Sequence, residues 1–514
     1  MWRRRCMRLS LTCASAPATS SRSMADDLYV RIILDIGGFV MRLLIALLIL
    51  LAGVSIAYAH GAEDHEDDSA EAPVIAGADI PEHPTYHEHV RAIIEANCVA
   101  CHSDGQIAAY APLTSTEDVM LAAEDIKSHV INAYMPPWPP SQEGLPLQND
   151  RRLSDTDIAL IAAWVDVGAA LGDPESFAPA ATDGFDVPEV RANLTLQLDE
   201  PYTPAADLLD DYRCFALPLN ISEPMFITGY EFIPDVAEMA HHAIFYVVDA
   251  ESDRAIQRAE ATDGEPGWQC YGGIGIRARH DSFGGWVPGA LPLSFPSGAG
   301  FRIESGQSIV IQMHYNLSIE RQPDQSQLVL EMESVDSQLD EITILSMSAP
   351  VEFPCPAGVE GAQCERAAAV KRVGDLYGED ARYTPDYLLY ECGQSLADYA
   401  ENRGEAATGH CDMPIRSALT IFDAAGHMHE LGSSFRLELN PGADDALVLL
   451  DIPRWDFHWQ GNYQFVEPLR VQRGDVLRMT CTWDNSLSDE PRYVVWGEGT
   501  TDEMCFGSLM ALRD

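Results

Sequence analysis

Five histidines and one methionine are spaced so that they could hold redox-active metal. Met239-Ala240-His241-His242, Gln312-Met313-His314-Tyr315, Gly426-His427-Met428-His429 and Thr500-Thr501-Asp502-Glu503-Met504-Cys505 follow one another along the chain. They divide into two sets. His241, His242 and His314 would make an all-nitrogen site, and His427, His429 and Met504 a nitrogen-and-thioether site. Imidazole suits copper in both oxidation states, and a soft thioether favours Cu(I). A chain with both sites could store two one-electron equivalents and offer one copper to dioxygen. A second kind of chemistry stands at Cys98-Val99-Ala100-Cys101-His102. Cys-x-x-Cys-His is the attachment pattern of a c-type haem: the two thiols add across the vinyl groups and His102 reaches the iron. Met135, in Ala133-Tyr134-Met135-Pro136-Pro137-Trp138, is the expected sixth ligand. A Met/His pair raises the haem potential and suits electron transfer.

The elements that must position these groups differ along the chain. Residues 92–97 read as a short helix leading into the haem motif. Ser154 to Gly172 reads as a second helix, capped by Ser154, with Ile158, Ile161, Ala162 and Val165 at helical spacing. It resembles the closing helix of class I cytochromes c. Beyond residue 190 the pattern becomes that of strands, with runs such as Phe226–Ile233 and Ala243–Val248 between Gly/Pro turns, as in a β-sandwich. In Ser308–Leu317, Ile309, Ile311, Met313, Tyr315 and Leu317 share one face, and His314 lies on the other, less apolar face. His427 and His429, at i and i+2, share a face. Adjacent His241 and His242 would point apart on a regular strand, so both reach one metal only at a bend, bulge or strand end.

The ordered set resembles the copper type II, ascorbate-dependent monooxygenases, which include peptidylglycine and dopamine hydroxylases. The resemblance extends over residues 190–514 and rests on the His-His pair, Gln-Met-His-Tyr, His-x-His and Thr-Thr-Asp-Glu-Met-Cys in the family's order. It implies two copper ions. One is held by His241, His242 and His314; the other, where oxygen reacts, by His427, His429 and Met504. It also implies a Cys214–Cys270 bridge around the His-His pair and a Cys481–Cys505 bridge beside Met504. Peptidylglycine hydroxylases place an arginine two residues before His-x-His and a tyrosine four after the methionine. Ala425 and Ser508 stand there in this chain, which argues against a glycine-extended peptide as substrate.

The fold class expected is multidomain: an all-α cytochrome c domain followed by two all-β jelly-roll-like sandwich domains. The boundaries expected are an over-extended start (1–40), a signal peptide (41–59), an acidic disordered leader (60–80), the cytochrome domain (81–172) and a linker (173–190). The two copper domains follow at 191–337 and 338–514, the latter with an insertion at 354–416. The signal peptide rests on a basic start, an apolar run and Ala57-Tyr58-Ala59, with a retained anchor as the alternative. A net charge of −48, from 80 acidic and 32 basic residues, argues against nucleic acid and against anionic lipid as partners. Eight cysteines remain outside the haem motif and the segment before the cleavage point. In an exported chain they read as disulfides, with about 105 pairings open; proximity suggests Cys355–Cys364 and Cys392–Cys411.

The reading is a periplasmic or secreted copper-dependent monooxygenase that hydroxylates a C–H bond of an unidentified small molecule with O2. Electrons would come from an external donor, an ascorbate-like reductant or another cytochrome, relayed by one covalently bound haem c. No stable membrane span is expected. The alternative is a non-catalytic electron-transfer or copper-binding cytochrome protein.

Overall fold

The computed structural model describes residues 80–513, except 105, 107, 178–188, 206–209, 271–272, 288–289, 318–320, 403–405, 489 and 500. The expected over-extended start, signal peptide and nearly all of the acidic leader lie outside the described residues, as does most of the linker.

Alternating apolar residues build most of what is described. In the strand Ser308–Asn316, Ile309, Ile311, Met313 and Tyr315 enter a large apolar core. The strand pairs antiparallel with Asp210–Pro218 on one side and Ala240–Val248 on the other. It is thus the centre of a five-stranded sheet, edged by Trp268–Gln269 and His280–Trp286. Its second face is also covered, by a smaller cluster of Val310, Tyr246, Trp268 and the Cys214–Cys270 disulfide. Burial on both faces is why Gln312 and His314 are enclosed despite their polarity.

Against this packs a nine-stranded sheet that runs through both halves of the chain. Its path is Leu194–Gln197, Gln327–Ser334, Met225–Ile233, Ala299–Ile303, Asp340–Ser348, Phe506–Arg513, Leu419–His427 and Asn462–Val471, with Leu293–Ser294 paired to Met225–Ile233. The halves join where Ala299–Ile303 meets Asp340–Ser348 in parallel, at Asp340↔Ala299 and Glu341↔Gly300. The far half of this sheet packs on a four-stranded sheet, Ala407–Pro414, Val476–Trp483, Gly432–Leu439 and Leu447–Ile452, around a second core.

The expected order of an all-α cytochrome domain and two jelly-roll sandwich domains is therefore corrected. The described chain is predominantly β-sheet, and one continuous sheet is shared between the two sandwiches. Its helices are few and short. Those of the N-terminal segment are Arg91–Asn97, Thr116–Leu121, Ala123–Ile131 and Asp155–Asp166, and no self-standing all-α cytochrome domain is evident. The physical reason lies between them. After Ile131 the chain leaves the helical layer and lies along the open edges of both sheets. Ser141 and Leu145 donate backbone N–H bonds to Asp451 and Leu449 on the outer strand of the four-stranded sheet (2.7 and 3.1 Å). Gln148 donates to Gln464, and Val466 to Pro146, on the outer strand of the nine-stranded sheet (2.8 and 2.9 Å). Both edges lose exposed pairing groups that would otherwise invite another strand. Arg454 fixes the start of this segment, donating to the carbonyls of Asn132 (2.9 Å) and Ala133 (2.6 Å), with its guanidinium 4.4 Å from the Tyr134 ring centre.

The helix read over Ser154 to Gly172 forms at its start but is shorter, Asp155–Asp166. Ser154 caps Asp155–Asp166 by accepting from the Asp157 N–H, and the helix ends before Gly168 at φ +97°. All four expected disulfides form: Cys214–Cys270, Cys355–Cys364, Cys392–Cys411 and Cys481–Cys505. Within 354–416 the helical segments are short. Thr384–Glu391 stops near Gly393, at φ +66°, and a 3-10 turn follows at Leu396–Tyr399. A further helix, Arg366–Tyr377, has no counterpart in the sequence reading. Among the described residues no helix is long and apolar enough to cross a membrane.

Candidate metal centre

The difficulty of two adjacent histidines is resolved by a bulge. In the pairing of Ala240–Val248 with Ser308–Asn316 the register shifts between Ala240, opposite Tyr315, and His242, opposite His314. The extra residue is His241, and the bulge turns its ring to the side of its neighbour. Nδ1 of His242 then lies 3.2 Å from Nδ1 of His241 and 3.4 Å from Nδ1 of His314. The three rings offer ligand atoms that all lie within 4.8 Å of one another. Tyr212, opposite His314 on the next strand, stacks on its ring at 4.1 Å and fixes its plane.

His427 ends the strand Leu419–His427, and His429 follows on the turn, with Met428 between them pointing into the core. Their ring centres are 5.1 Å apart. The Nδ1 atom of His427 donates to the side-chain oxygen of Gln460 (2.6 Å), and Nδ1 of His429 to the backbone carbonyl of Asp502 (3.2 Å). Both rings are thereby held in the tautomer whose Nε2 lone pair is available to a metal. Glu503 locks the turn. Its carboxylate accepts from the His429 N–H (3.0 Å), the Leu431 N–H (2.6 Å) and the Trp483 indole (2.9 Å). Asp502 is held in turn by Arg372 and by the Tyr377 hydroxyl (2.7 Å), both from the helix that the sequence reading missed. Thus the 354–416 insertion buttresses the Met504 segment, which the Cys481–Cys505 bridge also ties down.

Burial and the neighbouring rings push the His241 proton off to about 2, and hold His242 and His429 well below the ordinary histidine range. Burial also lowers His427. These rings are neutral at physiological pH, as metal ligands must be. Burial pushes Glu503 up to about 8 and Glu498 up to about 7. The donor set and its directed lone pairs fit copper at both positions.

His242, His427, His429 and Met504 all line one cavity of about 970 Å³. Ala425 and Ser508 line it too. They are cross-strand partners, so the two positions where the resembled hydroxylases carry arginine and tyrosine face the same space with small side chains. Trp138 and Arg151 complete a wall, the former packed edge-on against Tyr463 at 5.5 Å. Sequence reasoning missed Gln460, Phe457, Trp138 and Arg151. The cluster Trp455-Asp456-Phe457-His458-Trp459-Gln460 was the available signal, since so many aromatics in a loop between strands need a packing partner. His458 is exposed and hydrogen-bonds Asp456 (3.3 Å).

The haem-motif residues follow the helix Arg91–Asn97. Cys98, Cys101 and His102 share one helical turn, the amides of the latter two donating to the Cys98 carbonyl (3.1 and 3.0 Å). Both thiols are free and half-buried, and burial pushes Cys98 up to about 12. The His102 Nδ1 donates to the Ala111 carbonyl (2.7 Å), which leaves the lone pair on its Nε2. Met135 is on a separate loop, its amide donating to the His129 carbonyl (3.3 Å).

Residues 394–511 match the family model described as "Copper type II ascorbate-dependent monooxygenase, C-terminal domain". The matched span contains His427, His429 and Met504 and excludes His241, His242 and His314. The match supports the monooxygenase family. No curated protein matches the chain. Solved structures with some likeness include an allantoicase, at 12% identity, covering 58% of this chain and 81% of that one, with a TM-score of 0.14. A putative secreted protein from Eubacterium rectale is 6% identical, covering 58% and 69%, with a TM-score of 0.16. A fucolectin from striped bass (Morone saxatilis) is 10% identical, covering 62% and 86%, with a TM-score of 0.16. Scores this low lend nothing to fold or function.

Proposed function

We propose that the chain is an exported copper-dependent monooxygenase that hydroxylates a C–H bond of a small molecule. One oxygen atom of O2 enters the C–H bond to give an alcohol. The other leaves as water, with two electrons drawn from an external reductant, ascorbate-like or another cytochrome supplying one electron at a time, and two protons taken from that reductant or from solvent. Bound copper supplies the one-electron steps and the activation of dioxygen. The observation that carries the reading is the convergence of directed imidazole nitrogens in two sets, with His242, His427, His429 and Met504 on one cavity wall.

This chain's residues do the rest. Gln460 and the Asp502 carbonyl keep Nε2 of His427 and His429 free of protons. Ala425 and Ser508 leave room where a peptide-binding arginine and tyrosine would stand, so the substrate class proposed is small and not a glycine-extended peptide. Trp138 and Tyr463 give the cavity an aromatic wall. Four disulfides suit an oxidising compartment, periplasmic or extracellular. One haem c on Cys98, Cys101 and His102, with Met135 as sixth ligand, is the finer part of the proposal. It rests on the attachment motif and on the Nδ1 bond that orients His102.

Metal and haem analysis of the exported protein tests both parts. The expected result is about two coppers and one haem per chain, with copper falling to about one in His427→Ala and in His314→Ala, one donor set being lost in each. Absence of copper after reconstitution would sink the oxygenase. Loss of haem in Cys98→Ala/Cys101→Ala with copper unchanged is expected. A parent protein that carries no covalent haem would remove the relay and leave the copper reading standing.

A further inference from the structure

We propose that the helix Arg366–Tyr377 positions His429 and the Met504 segment through Asp502, and so sets how tightly the second ligand set holds copper. The proposal rests on the copper reading above and goes beyond it, because it gives the 354–416 insertion a task in metal binding and makes Arg372 and Tyr377 positioning residues.

Three observations carry it. The first is a chain of contacts from the helix to a ligand ring. Arg372 donates to one oxygen of the buried Asp502 carboxylate, and the Tyr377 hydroxyl donates to the other (2.7 Å). Arg372 also donates to the Thr501 hydroxyl (3.4 Å). The backbone carbonyl of the same Asp502 accepts from Nδ1 of His429 (3.2 Å). Asp502 thus has its side chain on the insertion and its backbone on the imidazole. Outer partners of this kind orient a ligating ring and fix its tautomer.

The second is the shape of the turn that meets the helix. The Asp502 N–H donates to the Gly499 carbonyl (2.7 Å), and the Gly497 N–H to the Glu503 carbonyl (3.1 Å). A methyl group at Gly499 would collide with the Tyr377 hydroxyl, and one at Gly497 would stand 2.7 Å from the Asp502 side chain. Glycine at these two positions is what lets turn and helix approach so closely.

The third is that the helix is itself held in place. At its start, Arg366 donates to both oxygens of Glu352 (2.9 Å each) and to Asp386 (2.8 Å), and the Glu352 side chain is wholly buried. Ala369 and Val373 form a small core with Val495, and Tyr377 packs against it. Val495 pairs with Glu352 on the short strand that leads into the turn. The Cys355–Cys364 bridge closes the chain just ahead of the helix. Stability alone would be served by the Glu352 anchor and this core. The contacts from Arg372 and Tyr377 go instead to the one residue whose carbonyl orients His429.

Copper binding by the full chain in a His314→Ala background, which leaves only the second set complete, tests this. Arg372→Met with Tyr377→Phe removes the contacts to Asp502 and keeps the apolar bulk of both side chains. The expected result is a loss of roughly 10–100-fold in copper affinity, the usual effect of removing an outer partner of a metal ligand, with altered Cu(II) electron paramagnetic resonance parameters. Arg372→Lys keeps a cation beside Asp502 and is expected to recover most of the affinity lost in Arg372→Met. Lys371→Met removes the same charge one residue away, from an exposed pair with Asp375, and is expected to leave affinity unchanged. With both sets intact, the first-set copper keeps its affinity in every one of these variants. Urea unfolding of the copper-free proteins shows whether the double variant is folded; if it is not, Tyr377→Phe alone, which lacks one hydroxyl, is read in the same way. A folded variant whose second-set affinity stays within about twofold of the parent would overturn the positioning role. An equal loss at both sets would overturn it too, because it reports general destabilisation. A parent that binds no copper at His427, His429 and Met504 overturns the copper reading as well, and metal analysis of the parent separates that outcome from the others.

Discussion

Glu503→Ala is expected to lower stability by several kcal/mol and to release the copper of the His427/His429/Met504 set while leaving the other in place. Glu503 is fully buried, and its two oxygens take three N–H donors from three parts of the fold. Two are the amides of His429 and Leu431 at the turn after the His-x-His. The third is the indole of Trp483, on the strand that carries Cys481. Alanine leaves all three donors without an acceptor in the core. At roughly 1–3 kcal/mol for each buried donor left unsatisfied, the loss is on the order of 5 kcal/mol. The Cys481–Cys505 bridge still fastens the segment to that strand, so the chain folds, with the His429 turn untethered from the Met504 segment. Glu503→Gln keeps one acceptor oxygen and is expected to lose less on both counts. Urea unfolding of the copper-free proteins measures the first effect, and copper analysis after dialysis the second. A variant within about 1 kcal/mol of the parent that retains two coppers would show that the turn is held by its backbone alone.

What could be read from the sequence was set by short-range periodicity. Strand alternation placed His314 opposite the Ile309/Ile311/Met313 face, and the structure puts those residues in the core as that predicts. The same rule said that adjacent His241 and His242 require an irregular strand, and a bulge stands there. Ser154 and the spacing of Ile161 and Val165 gave the last N-terminal helix, though not where it stops. The cytochrome-domain expectation failed for a related reason. A five-residue attachment motif and two helical stretches are local signals, and they say nothing of what the chain does between them. The Pro-rich stretch after Ile131 binds sheet edges through its backbone, and backbone pairing leaves no pattern in side chains. The parallel join of Ala299–Ile303 to Asp340–Ser348 is equally silent, being only two residue pairs long. Phe457 and Gln460 stand in an aromatic cluster that signals packing without naming its partners, because His241, His427 and His429 are supplied by segments far from them in sequence.

Asp423→Asn is expected to change how stability depends on pH, by an amount comparable to the total worth of many single side chains. Asp423 sits where the Leu419–His427 strand shifts register against both neighbours, and it is 1% exposed. One carboxyl oxygen accepts from the Asn462 side chain (3.2 Å), and the other has no hydrogen-bond partner. Burial pushes its pKa up to about 7. Unfolded, an aspartate titrates near 3.9. Between these values the folded chain holds a proton that the unfolded chain has released. Stability therefore falls as pH rises from about 4 to about 7, and is flat beyond. Three units at about 1.4 kcal/mol each give a loss of roughly 4 kcal/mol across that window. An amide of the same shape does not titrate, so the variant-minus-parent difference should grow by about that amount between pH 4 and pH 8. Carboxylates with lowered pKa, such as Asp263 beside Arg213, act in the opposite direction, but equally in both proteins, and cancel in the difference. Urea unfolding of copper-free parent and variant at the two pH values measures it, and parallel behaviour would mean that Asp423 reaches water in the folded state. Asp423, Ala425 and His427 occupy alternate positions of one strand, and the latter two line the cavity. Above its pKa the parent therefore carries an uncompensated negative charge four residues from His427, the proposed ligand, beneath the cavity lined by Tyr230 and Asn462. A charge so placed attracts cations and weakens the hold on anionic substrates. The variant separates that electrostatic contribution from the shape of the cavity.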